Sequence, residues 1–163
     1  MQSYLISNDK IQLIIDNFFE WSFGKPSNFI PDKALFNSFT HPAELHFLAD
    51  IYNWDDDTIV LEWVLKSPLC SRATANLLFW RSLPSYFENA NFENSSTCPS
   101  YCESGFALIK IVLAKYKDND FSEIDIDFDP VQEQEEVINN NEYWSVPKGV
   151  YNKIKGINVI TTP

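Results

Sequence analysis

Pro42, Pro68 and Pro84 divide the middle of this chain into short apolar segments, and that punctuation leaves little room for anything but a small helical core. Proline fits the first helical position, and it pushes the residue before it out of the helical region. His41 is therefore read as an N-cap, with Glu44 three residues on, able to reach back to a free backbone N–H as in a capping box. Leu45, Leu48, Ala49 and Tyr52 follow at helical spacing and predict one apolar face. The segment should end near Asn53. Asp55, Asp56 and Asp57 come next; a calcium loop would need spaced ligands, a glycine and a distal Glu, none of which is present. The expectation is that Asp55 caps the next helix and that Asp56 and Asp57 fill its first turn. Val60, Trp63 and Val64 should face inward until Lys66-Ser67-Pro68 stops that helix. A third helix begins near Ser71, packs closely through Ala73 and Ala75, and buries Leu77 to Trp80 before Pro84 closes it.

Leu45-His46, Tyr52-Asn53-Trp54-Asp55-Asp56, Cys70, Ala73-Thr74-Ala75 and Leu78-Phe79-Trp80 together form a pattern. It resembles the bacterial domain-of-unknown-function family 4274, whose pattern is LH, YNWDD, a helix, a Cys, and a TA…LFW helix. The resemblance covers about a quarter of the chain. The family has Gly after YNWDD and an acidic residue and Gly around the Cys, where this chain has Asp57 and Ser71-Arg72. The resemblance implies a helical domain; the family has no established activity, so no catalytic residue is carried over.

The 163 residues are enough for one buried core, and thirteen Phe against only four Gly fit a packed helical protein better than a turn-dense sandwich. The fold class expected is mainly α: a compact multi-helix domain, open to helical-repeat-like packing, with a small acidic β element near the C-terminus. Residues 1–117 would form the helical core and 118–163 an acidic segment and tail, all in one domain. Met1 to Ile6 lack the basic leader and long apolar run of a signal peptide, and no stretch reaches transmembrane length. Cys70, Cys98 and Cys102 do not form a disulfide framework, which points to a reducing, cytoplasmic setting.

Ile11, Ile14, Ile15, Phe18 and Phe19 predict a first helix from Asn8 to Trp21. Phe23 to Asp32 reads as a loop, with Phe29 and Ile30 folding back onto the core. Asn89 to Pro99 is the expected mobile loop. Phe106, Ile109, Leu113 and Tyr116 predict a long helix opening at Pro99-Ser100, expected to be the central buried one. Gly105 inside it implies that a neighbour comes close.

After Lys117 the composition changes. Asp118 to Glu142 holds ten of the 23 acidic residues and no Lys or Arg, so the remainder has 13 acids against 12 bases and the net charge of −11 is almost wholly local. Ile124-Asp125-Ile126-Asp127-Phe128 alternates as a half-buried strand does. Pro147 to Lys155 reads as a short helix stopped by Gly156. Ile157, Val159 and Ile160 read as a strand pairing with the acidic one.

Catalytic signals are few. His46 and Asp50 would share a helix face, and with Asp55 they are the residues of an alternative reading as a small cytoplasmic enzyme or metal-binding protein. Cys98 and Cys102 lack the spacing of a zinc knuckle, and no nucleophile elbow or phosphate-binding glycine loop is present. A chain this acidic repels nucleic acid. It suits a basic protein partner instead, and by analogy of size and charge the reading is a non-catalytic, immunity-type inhibitor of a toxin effector domain such as a nuclease. No cofactor, nucleic acid or membrane is expected. Asp125, Asp127, Asp129, Glu133, Glu135 and Glu136 would steer the partner, and Tyr143 and Trp144 would anchor it.

Overall fold

The computed structural model describes residues 2–161, so Met1 lies outside it. Among the described residues, six α-helices and two short strands are formed: β1 (Ser3–Ile6), α1 (Asn8–Phe18), α2 (Lys33–Phe36), α3 (Pro42–Ile51), α4 (Ile59–Lys66), α5 (Arg72–Arg81), α6 (Glu103–Asp118) and β2 (Asn158–Thr161). The mainly α class is as expected.

The helix starts follow the capping chemistry. His41 Nδ1 accepts from the Ala43 N–H at 3.1 Å, and Glu44 reaches back to the Thr40 N–H at 2.9 Å. Ser71 Oγ accepts from the Thr74 N–H at 3.1 Å and opens α5. The acidic triplet behaves differently from the reading above. Thr58, not Asp55, precedes α4; Asp57 accepts from the Ile59 N–H at 2.8 Å, while Asp55 is exposed. α1 stops at Phe18, and its inward face is Ile14 and Phe18, with Ile15 and Phe19 partly exposed. Phe29 returns to Trp21 with ring centroids 6.1 Å apart, but Ile30 stays exposed.

The central helix is α5 rather than α6. Every residue from Ala73 to Trp80 is buried, because α3 and α6 flank α5 while the C-terminal tail covers a further side. A helix enclosed on all sides must satisfy its polar side chains internally. Asn76 Nδ2 donates to the Gly149 carbonyl at 3.1 Å and its Oδ1 accepts from the Tyr116 hydroxyl at 2.5 Å. Trp80 Nε1 donates to the Val150 carbonyl at 2.9 Å. α6 instead keeps Lys110, Ala114 and Lys117 outside. It begins at Glu103, because Pro99 to Cys102 is a turn closed by a 2.9 Å hydrogen bond. Gly105 lets α6 close on the end of α5: a Cβ there would lie 2.8 Å from the Ser82 carbonyl oxygen.

β1 and β2 pair in parallel, Ser3 opposite Asn158 through Ile6 opposite Thr161. The acidic segment therefore does not supply the main partner of the last strand. It adds only two bridges, Ile126 with Ile157 and Phe128 with Ile154. Single turns of 3-10 helix occupy Pro84–Phe87, Ser95–Thr97, Pro130–Gln132 and Lys148–Tyr151, the last standing in place of the longer helix expected after Pro147.

Candidate functional site

Residues 118–147 run across the helical core as a strap; Asp125, Glu133 and Glu135 are spent on holding it there, and Asp129 on tying it to itself and to the tail. Asp125 accepts from the Ala73 N–H at 3.2 Å, at the start of α5, and lies 3.8 Å from the Arg72 guanidinium. Asp129 takes the Val131 N–H and Lys153 Nζ, each at 3.2 Å, and these two contacts hold its carboxyl below the usual range. Glu133 receives a forked pair from Arg81 at 2.9 and 3.2 Å, while Arg81 also binds Asp50 at 2.9 Å. Glu135 accepts from the Ser85 N–H and hydroxyl at 2.8 and 3.0 Å. Glu136 points outward, and Asp127 lies part-buried beside His46 and Asp50.

The two aromatic residues of the strap separate. Tyr143 is 59% exposed. Trp144 belongs to the core, its Nε1 donating to the Phe87 carbonyl at 3.0 Å and its ring edge-on to Phe92 at 5.1 Å. Trp144 is thus not available as a protruding anchor, because its indole already has a hydrogen-bond partner and a packed face.

A different pair of rings does protrude. Tyr86, on the turn after α5, and Tyr101, just before α6, are 53% and 78% exposed and meet edge to face with centroids 6.1 Å apart. Beside Tyr101 lies an open basin of about 440 Å³ whose charged residues are Asp57, Glu62 and Glu103. Glu62 shares its charge with Lys66 at 3.0 Å. On the other side, Glu135 reaches Ser85 and Glu88 accepts from the Ile138 N–H at 3.1 Å, which brings the strap to the edge of the Tyr86 turn. The face therefore sets exposed rings beside a basin holding Asp57, Glu62 and Glu103, a combination that takes up lysine and arginine side chains through both ion pairing and cation–π contact. In the sequence Tyr86 and Tyr101 carry no periodic signal, and only the fold brings them together.

The residues of the alternative reading do not assemble. His46 and Asp50 line one small cavity as their spacing implies, but Asp55 is absent from it, and no group of three His, Cys, Asp or Glu side chains among the described residues is placed to hold a metal ion. His46 Nδ1 is 3.1 Å from the Thr74 hydroxyl, and desolvation pushes its imidazole down to about 4. Cys70 is fully buried and its thiol is pushed up to about 12 by that burial.

Tyr52, Trp54 and Asp56, after α3, are structural. Trp21 Nε1 donates to the Tyr52 hydroxyl at 2.8 Å, and that hydroxyl donates to the Asp57 carbonyl at 2.6 Å. Asp56, itself buried, accepts from the Trp21 and Ser22 N–H groups at 3.2 and 3.1 Å and from the Ser22 hydroxyl. Tyr52 and Asp56 thus clamp the chain that leaves α1, and Trp54 packs against the same core. Residues 40–117 match the family model of DUF4274, a domain of unknown function. The matched stretch runs from the start of α3 to the last turn of α6. No curated protein and no solved structure matches the chain. The DUF4274 stretch contains Tyr86, Tyr101, Asp57, Glu62 and Glu103, whereas the strap and both strands lie outside it. No helix among the described residues is long and apolar enough to cross a membrane.

Proposed function

We propose that this protein is a non-catalytic, acidic binding module of the immunity type, which acts in the cytoplasm by covering the surface of a basic protein partner such as a toxin effector domain. The observation that carries this reading is the exposed Tyr86–Tyr101 pair beside a basin whose charged side chains are Asp57, Glu62 and Glu103. An excess of negative charge attracts a basic partner from a distance and raises its association rate. Exposed tyrosines then supply rigid contact area at low entropic cost, and the basin beside Tyr101 accepts cationic side chains. In this reading the strap contributes the exposed Glu136 and the part-buried Asp127 to steering. Asp125, Glu133 and Glu135 hold the strap on the core, Asp129 ties it to the tail, and Trp144 belongs to the core.

The test is co-purification of tagged protein from its native cell at low and high salt, with wild type compared against Tyr86→Ala/Tyr101→Ala. The expected result is one stoichiometric basic protein, released by salt and lost with the double variant while the thermal midpoint stays unchanged. Equal retention by the variant would overturn the assignment of this face, and a retained partner that is acidic would overturn the mechanism.

A further inference from the structure

A cavity of about 580 Å³ forms a groove between the C-terminal half of α6 and the end of the strap. Its volume lies within the range of pockets that hold small organic ligands. Leu113, Tyr116 and Phe92 line it from the core, Tyr143 and Trp144 from the strap. Its far wall is built rather than incidental. Asn139 donates to the Trp144 carbonyl, Asn141 donates to the Ala90 carbonyl, and the Tyr143 N–H returns to Asn141 Oδ1 at 2.7 Å.

The charges on this groove are unusual for the chain. Among the described residues, eight of the twelve Lys and Arg side chains meet a carboxylate or an aromatic ring; Lys110 and Lys117, both on the groove, meet neither there. Two helical turns separate them, roughly 10 Å along α6, so that both flexible ammonium groups can swing toward a ligand lying over Leu113 and Ala114. Glu93 and Asp118 also line the groove, and they disfavour a ligand with several negative charges. Aromatic walls, two uncommitted ammonium groups and two carboxylates together describe one class of molecule.

We infer that this groove is a binding site for a small planar aromatic compound carrying a single anionic group, the ring lying among Tyr116, Tyr143 and Trp144 and the anion held by Lys110 and Lys117. The site is at the opposite end of α6 from Tyr101 and does not depend on the basic-partner reading. The probe is 8-anilinonaphthalene-1-sulfonate, whose sulfonate stands for the carboxylate or phosphate of a natural ligand, titrated into the folded full-length chain at low salt. Saturable binding of one probe per chain is expected. Lys110→Glu and Lys117→Glu should each weaken it by about tenfold, roughly the loss of one charge-assisted contact plus a like-charge penalty. Lys155→Glu removes a lysine that also has no carboxylate or ring partner and is remote from the groove in sequence, and it should change affinity by less than about twofold through net charge alone. All three lysines are uncommitted, and thermal midpoints should confirm that each variant folds. The inference is overturned by the absence of saturable binding, by a stoichiometry well above one, or by an equal loss in Lys155→Glu.

Discussion

The forked contact between Arg81 and Glu133 is the main electrostatic tie between the acidic strap and the helical core, and its strength can be worked out from the geometry. Both side chains are about three-quarters buried, at 24% and 28% exposure, with N–O distances of 2.9 and 3.2 Å. At that separation the direct attraction is roughly 5 kcal/mol for an effective dielectric of about 20. Desolvation and side-chain ordering offset most of it, leaving a coupling of about 1–2 kcal/mol, above the ~0–1 kcal/mol of exposed pairs. Arg81→Met should cost more than Glu133→Gln, because it also removes the contacts to the Asp50 carbonyl at 2.7 Å and carboxylate at 2.9 Å. The assay is a double-mutant cycle by urea unfolding of the wild type, the two single variants and the double variant, each giving a midpoint and slope. A coupling below about 0.3 kcal/mol would refute the account, since the strap would then lie against α5 without drawing stability from its carboxylate.

The pH dependence of stability follows from His46. Its folded value of about 4 lies below the ordinary value near 6.5, so in that interval the unfolded chain binds a proton that the folded one does not. The stability this contributes is complete above about pH 6.5 and is lost as the pH falls toward 4, by at most about 3 kcal/mol; His46→Gln should flatten the urea-midpoint curve in that window. Gly156→Ala places a methyl group against the backbone of Asp125 and Ile126, which cannot swing aside, so a loss of about 1–3 kcal/mol is expected by urea unfolding. An unchanged midpoint would mean that the strap is not seated on residue 156. Thiol labelling of the native protein should modify Cys98 and Cys102 but leave Cys70 unreacted until the chain unfolds, and three fast thiols would contradict the burial of Cys70.

Local chemistry made much of the helical core legible in the sequence. Pro42, the His41 and Ser71 caps and the apolar spacing of α3 and α5 are short-range signals, and they lie where they were expected. What was not legible depends on distant partners. β1 is four residues long and its strand pairing comes from residues 158–161, more than 150 positions away, so nothing within Ser3–Ile6 announces it. The same holds for Asp56, whose carboxylate is engaged by the chain leaving α1 rather than by the first turn of α4. Burial of α5 on all sides is likewise a consequence of the tail, and the amphipathic pattern of α6 reflects the face it leaves open. The acidic strap was visible as composition, but composition does not distinguish Glu133, paired with Arg81, from Glu136, which faces outward. Tyr86 and Tyr101 lie fifteen residues apart on two irregular turns and form a surface only because Gly105 lets α6 close on the end of α5.

The central claim is that the Tyr86–Tyr101 face binds a basic protein. Its most direct measurement is the affinity of the salt-released partner for wild type and for Tyr86→Ala/Tyr101→Ala, titrated over a series of salt concentrations. The account predicts a salt-dependent affinity in the wild type and a loss of at least about tenfold in the variant, about 1.4 kcal/mol or more, with the thermal midpoint unchanged. An affinity that is the same in both proteins, or one indifferent to salt, would contradict it.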